Sequence, residues 1–136
     1  MVKSSLSTSL HIMALLALYT EGWRTSTKIA ASININPVLV RQEIRKLKNA
    51  GLIESKEGKH GGVRLAKSAQ NILLSDIFEV VKEKKHVLDF RSDSPSKSCR
   101  VGNKINSVLD NLYNDIDVAV IEKLQDITLE SFKNNF

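Results

Sequence analysis

The residues in this chain best placed to do chemistry are cations in register. Arg41, Arg45 and Lys48 recur at i, i+4 and i+7, with Gln42 beside the first of them. Lys56, Lys59, His60 and Arg64 follow in a stretch broken by Gly58, Gly61 and Gly62. Guanidinium and ammonium groups repeated along one helical face suit phosphate oxygens and the acceptor edges of bases, so this pattern points to nucleic-acid binding. A second reactive group is Cys99, which follows Lys97 and precedes Arg100 at an expected helix start, a setting that favours thiolate. It reads as a redox-sensing cysteine, as a cysteine of no consequence, or as a small buried hydrophobe. His11, His60 and His86 are scattered without metal-ligand spacing, and no metal site is expected. No nucleophile elbow, phosphate-binding glycine loop or metalloprotease signature is present, so no enzyme and no catalytic residue is expected.

These side chains need elements to position them. Asn36 is a good N-cap, Pro37 suits the first helical position, and Gly51 stands where a left-handed terminating residue is wanted. The spacing predicts a helix over 37–50 that buries Val40, Ile44 and Leu47 and presents the cations on the neighbouring face. Strands are expected over 52–55 and 63–65, joined by the basic, glycine-containing segment 56–62. A helix about 10–12 Å wide fits the major groove, and a hairpin beside it can reach the backbone or minor groove.

Upstream, Ser26 and Thr27 can cap a short helix ending at Ile33, which with the turn 34–36 makes a helix-turn-helix. Leu6, Leu10, Met13, Leu16 and Ala17 predict a first helix ending near Gly22. Leu15 and Leu18 add apolar surface on its other side, and Trp23 reads as a core plug. Beyond the hairpin, 67–71 is a connector, and Ser75 with Glu79 starts an amphipathic helix carrying Ile77, Val80 and Val81. The segment 84–98, rich in charge and serine, reads as a mobile loop. From Cys99 a helix carries Ile105, Val108, Leu109 and Leu112. It continues over 115–132 with two apolar lines, one of Ile116, Val120, Leu124 and Ile127 and one of Val118, Ile121 and Phe132. A small domain covers one such line, and a symmetric dimer would bury the other. The expected fold is therefore mainly α with a small β-hairpin wing. It divides into a winged helix-turn-helix domain over 1–83, a loop over 84–98 and a helical dimerisation or sensing region over 99–136.

Charge supports that division. The chain of 136 residues carries +5, yet residues 1–70 hold 11 Lys and Arg against 4 Asp and Glu, while 71–136 hold 9 against 11. The N-terminal half is suited to a polyanion and the C-terminal half is not. The longest apolar run, 12–19, is eight residues, far below the roughly 20 that span a bilayer, and no cleavage signal follows it. No membrane association and a cytoplasmic location are expected. The single cysteine allows no disulfide within the chain.

The segment Leu47-x-x-Ala50-Gly51-Leu52-Ile53-x-Ser55-x-x-Gly58-x-x-Gly61-Gly62-x-x-Leu65-Ala66 closely resembles the signature of the Rrf family of bacterial winged-helix regulators. The resemblance extends to Ile72-Leu73-Leu74-Ser75-Asp76-Ile77, to Cys99-x-Val101-Gly102 and to Leu124-x-x-Ile127-Thr128-Leu129. It implies a homodimer joined through the long C-terminal helix, bound to imperfect palindromes of double-stranded DNA and usually repressing transcription. By position, Asn36, Pro37, Val38, Arg41 and Gln42 would approach base edges, and Lys48, Lys56, Lys59 and His60 the phosphates or minor groove. Ser26, Arg45 and Arg64 complete the candidate DNA-binding set. The chain departs from the family pattern twice. Glu57 stands where an arginine is common, so either the wing tip turns away from DNA or Lys56 and Lys59 take over its contact. Only Cys99 remains where cluster-binding members carry three cysteines, and one thiolate cannot hold a cluster that needs four ligands, so no cofactor is expected. Release from DNA by oxidation of Cys99 is one mode of control. A protein partner or small ligand, with Cys99 inert, is the other.

Overall fold

A computed structural model describes residues 3–82, 86–91 and 94–136. Its elements in order are α1 (Lys3–Leu18), α2 (Ser26–Ile33), α3 (Pro37–Asn49), β1 (Ile53–Lys56), β2 (Gly62–Leu65), α4 (Leu74–Lys82), α5 (Arg100–Gln125) and α6 (Leu129–Lys133), with a 3₁₀ turn at Ala69–Asn71. Mainly helical with one antiparallel hairpin, it has the winged helix-turn-helix architecture with a long C-terminal helix.

Aliphatic side chains from α1 to α4 meet in one core. Ile12, Met13 and Leu16 of α1, Ile29 of α2, Val40 and Leu47 of α3, Ile53 of β1 and Ile77 of α4 are all buried there. α3 ends as its residues require: Gly51 adopts φ +79°, and the N–H of Leu52 reaches back to the Leu47 carbonyl at 3.0 Å. The hairpin pairs Ile53 with Leu65 and Lys56 with Gly62. A third segment lies alongside it, since Arg24 and Val63 exchange N–H···O bonds of 2.9 and 2.8 Å. Gly62 is required at that crossing: a Cβ there would sit 2.4 Å from the Arg24 carbonyl oxygen, at φ +148°.

Several boundaries differ from the sequence reading. α1 stops at Leu18, not near Gly22, because the chain must turn and extend to pair Arg24 with Val63. Thr25, not Ser26 or Thr27, caps α2, its Oγ1 accepting from the Lys28 N–H at 3.3 Å. The last helix does not run to Phe132. α5 ends at Gln125, and α6 starts afresh under a Thr128 cap whose Oγ1 accepts from the Ser131 N–H at 3.1 Å. The break is held from a distance: the Leu74 N–H donates to the Ile127 carbonyl at 2.9 Å, and the Leu129 N–H to that of Ile72 at 2.8 Å. Leu129 thereby enters the core of the winged domain, and α6 packs on α1. The segment 99–136 thus divides between a long helix and a short one that packs on α1.

α5 rests on α4. Over its 26 residues the buried side chain is Asp117, while Val101, Val108, Leu112 and Val118 are exposed. Within the expected loop over 84–98, residues 84, 85, 92 and 93 lie outside the described residues. Residues 86–91 are not contact-free. They lie on α5, with His86 Nδ1 at 2.6 Å from Asp117 Oδ2, His86 Nε2 at 3.0 Å from Asp110 Oδ1, and the Val87 N–H donating to Asp117 Oδ1 at 2.9 Å. Phe90 and Tyr113 close around the imidazole, and Tyr113 Oη donates to the Asp89 carbonyl at 3.1 Å.

Candidate nucleic-acid interface

The turn between α2 and α3 is set by local chemistry. Asn34 takes the left-handed conformation at φ 64°, ψ 48°, one of the few side chains to do so readily, and its N–H closes α2 onto the Ala30 carbonyl at 2.7 Å. Two residues later Asn36 starts α3, its Oδ1 accepting from the Val38 N–H at 2.9 Å. Pro37 follows at the first turn. The two helices are thereby joined by a turn of three residues, and α3 buries Val40, Glu43, Ile44 and Leu47.

The opposite face of α3 is free. Asn36, Val38, Arg41, Gln42, Arg45 and Lys48 are exposed, and Pro37 is half-buried. Arg41 is not left to wander: its Nε donates to Ser26 Oγ at 3.2 Å, which links two candidate residues from the two helices of the motif. A guanidinium held through Nε keeps its terminal nitrogens available as a fork for base-edge acceptors. The N-terminus of α3, where Asn36 to Val38 stand, also carries the positive end of the helix dipole.

The wing separates into a tip and a flank. Glu57, Lys59 and His60 are exposed at the tip, so an anion and two potential donors share it. On the flank, Arg64 lies 4.2 Å from the Trp23 ring centroid and Lys56 6.0 Å from it, and Arg64 Nε is 2.5 Å from Glu54 Oε1 across the strand pair. Trp23 is therefore not a core plug. It is half-buried, a platform under the cations of the wing, because the segment carrying it runs along the edge of β2. The structure thus joins Ser26 of α2 to Arg41 of α3 and leaves Lys59 and His60 exposed at the wing tip, and it turns Lys56 and Arg64 toward Trp23.

Cys99 is exposed at the N-cap of α5. The backbone N–H groups of Gly102 and then Val101 hold its thiol below the usual range, against the opposing effect of burial. Two features were not anticipated from sequence. Glu43, in the middle of the basic helix, is buried and accepts from Ser5 and Ser9 of α1, and its place on the face of Val40 and Leu47 was the signal available. An apolar cleft of about 560 Å³ also lies between α1 and α6, lined by Leu6, Leu10, Leu15, Leu18, Phe132 and Phe136 among others. Leu15 and Leu18, the surplus apolar residues of the first helix, face it.

Among the described residues no helix is long and apolar enough to cross a membrane. No group of three or more His, Cys, Asp or Glu side chains gathers there as a metal site would require.

Comparison with known proteins places this arrangement. The model of the Rrf2 family, described as iron-dependent transcriptional regulators, matches residues 2–135. YwnA of Bacillus subtilis (strain 168), named as an HTH-type transcriptional regulator, is 30% identical over 135 residues, covering 99% of this chain and 98% of YwnA. The structure of CymR, the global cysteine regulator of B. subtilis, superposes with a TM-score of 0.71 at 26% identity, over 97% of this chain and 95% of CymR. The oxidised form of Staphylococcus aureus CymR superposes with a TM-score of 0.70 at 25% identity, over 98% and 95%. The one thiolate of this chain falls short of the four ligands an iron–sulfur cluster needs, so its residues do not fit such a cluster.

Proposed function

The chain belongs to the Rrf2 family of transcriptional regulators, DNA-binding proteins rather than enzymes, and from that premise we propose that it acts as a homodimeric repressor in the cytoplasm. It binds an imperfect palindrome with one α3 in each of two successive major grooves, about 34–36 Å apart. The observation that carries this reading is α3 itself: a helix completed on its apolar side by its own domain, with Arg41, Gln42, Arg45 and Lys48 left exposed on the other. Arg41 and Gln42 with the helix start at Asn36, Pro37 and Val38 read base edges. Arg45, Lys48, Lys59 and His60 hold phosphates, and Ser26 orients Arg41. Lys56 and Arg64 act on DNA from the Trp23 platform.

The second chain joins along α5, whose exposed Val101, Val108 and Leu112 have no apolar cover from their own domain. The DNA assignment is tested by fluorescence anisotropy on duplexes from upstream of the chain's own gene. Arg41→Ala is expected to relax base preference at a cost of about 1–3 kcal/mol, while Lys59→Ala weakens all sequences and flattens the salt slope by about 1. Equal effects of the two substitutions on every sequence would sink these roles.

Control of binding falls to Cys99. Its lowered thiol pKa and exposure favour oxidation, and the similarity to a CymR solved in an oxidised form is consistent with thiol control. With no second cysteine in the chain, the oxidised product is a sulfenate, a mixed disulfide with a small thiol, or a link between the two chains. Oxidant should release the parent from its operator and leave Cys99→Ser bound. Release of both would move control to a small ligand or a protein partner.

A further inference from the structure

We propose that Glu43 is a positioning residue for DNA reading, which locks α3 to α1 through hydrogen bonds from Ser5 and Ser9; the proposal rests on α3 being the helix that reads DNA. Glu43 is 9% exposed and Ser9 fully buried. Ser5 Oγ donates to Oε1 at 2.7 Å and Ser9 Oγ to Oε2 at 3.1 Å, so each carboxylate oxygen has its own hydroxyl. Lys46 Nζ, one turn along α3, stands 3.5 Å from Oε1.

A buried carboxylate is an expensive way to join two helices. Taking it out of water costs free energy that an apolar side chain of similar size would not, and replacing a whole buried polar cluster by apolar groups is often neutral or stabilising. Its return is direction. Val40, Ile44 and Leu47 attract α3 to the core, but apolar contact is non-directional and tolerates rotation and sliding. Ser5 and Ser9 are one turn apart on α1 and hold both oxygens of one group, which fixes α3 about its own axis and along α1. Glu43 directly follows Arg41 and Gln42 in the chain, so the rotation it fixes is the one that aims those side chains. Recognition needs side chains held within about 0.5 Å and 10–20°, and a rigid helix passes the constraint from Glu43 to its neighbours.

The test compares the full-length parent with Glu43→Leu, Glu43→Gln and the double variant Ser5→Ala/Ser9→Ala. Anisotropy is read on the upstream duplex and on a scrambled duplex of the same composition, with circular dichroism and thermal unfolding alongside. The parent is measured first; if it fails to distinguish the two duplexes, the DNA-reading premise falls, before any variant is considered. Glu43→Leu should keep its helix content and a cooperative unfolding transition, bind scrambled DNA as before, and lose its preference for the upstream duplex about ten-fold. Glu43→Gln, whose amide can still pair with both hydroxyls, should recover most of that preference. The double serine variant should repeat the loss, and it decides the matter if Glu43→Leu does not fold. Preference within about two-fold of the parent in a folded variant, or equal weakening on both duplexes, would overturn the proposal.

Discussion

α3 and α5 are both amphipathic, and their exposed faces are opposites. α3 turns Val40, Ile44 and Leu47 into its own domain and leaves cations outside. α5 is twice as long, buries one carboxylate, and leaves Val101, Val108, Leu112 and Val118 in solvent. A helix whose apolar face is satisfied and whose polar face is charged is finished as a structure and open as a ligand-binding surface. A helix with the reverse arrangement is unfinished until something apolar covers it. The same chain thus carries one exposed face that is charged and another that is apolar, and it is the apolar one that our proposal covers with a second copy of the chain.

The difference can be attacked at its strongest point first. Leu47→Ala should cost the domain about 2–5 kcal/mol in denaturant unfolding, since Leu47 is fully buried. Leu112→Ala, at a site half exposed in the single chain, should leave the unfolding of the monomer nearly unchanged and lower only the concentration-dependent part of stability. Equal losses that do not vary with protein concentration would erase the distinction.

A smaller effect lies where 86–91 lies on α5. Hydrogen bonds to Asp117 and Asp110 raise the His86 pKa above its ordinary 6.5, more than burial lowers it. Burial pushes the Asp117 carboxyl up, but the Val87 N–H, His86 and the charge of Lys82 outweigh it and hold the group below its ordinary 3.8. The histidine's contribution is complete below about pH 6.5 and is lost as pH rises through its higher folded value. The aspartate's is complete above about pH 4 and is lost as pH falls through its lower folded value. Attachment should therefore be firmest between about pH 4 and 6.5. Exchange of the Val87 amide, corrected for its intrinsic pH dependence, should accelerate above that window in the parent, while in His86→Ala it should be fast throughout.

What was legible in the sequence was local. Asn36, Pro37 and Gly51 mark α3 through hydrogen bonds that reach no further than a few residues, and the glycines of the wing announce a hairpin through backbone conformation alone. The winged fold and its family resemblance follow from those residues. What was missed depends on distant partners. No glycine or proline separates Gln125 from Leu129, and the helix breaks there because Ile72 and Leu74 supply backbone partners. Thr128 as an N-cap was the one local hint. His86 finds Asp117 across 31 residues, and Ser5 finds Glu43 across 38. Trp23 looked like a core residue by type, yet its place is decided by which strand edge the preceding turn follows. Of the candidate site, periodicity showed which side chains leave α3, and it could not show that Lys56 and Arg64 lean on Trp23.

The most direct test of the contrast between the two helices is sedimentation velocity of the parent and of Val108→Asp/Leu112→Asp, at matched helix content and with and without the upstream duplex. The parent is expected to sediment as a dimer of the 15.2 kDa chain and to bind one duplex per dimer. The variant should be a folded monomer whose affinity for the duplex falls about 100-fold or more, as the two linked recognition helices are separated. A parent that sediments as a monomer, or a variant that remains dimeric with full affinity, would contradict it.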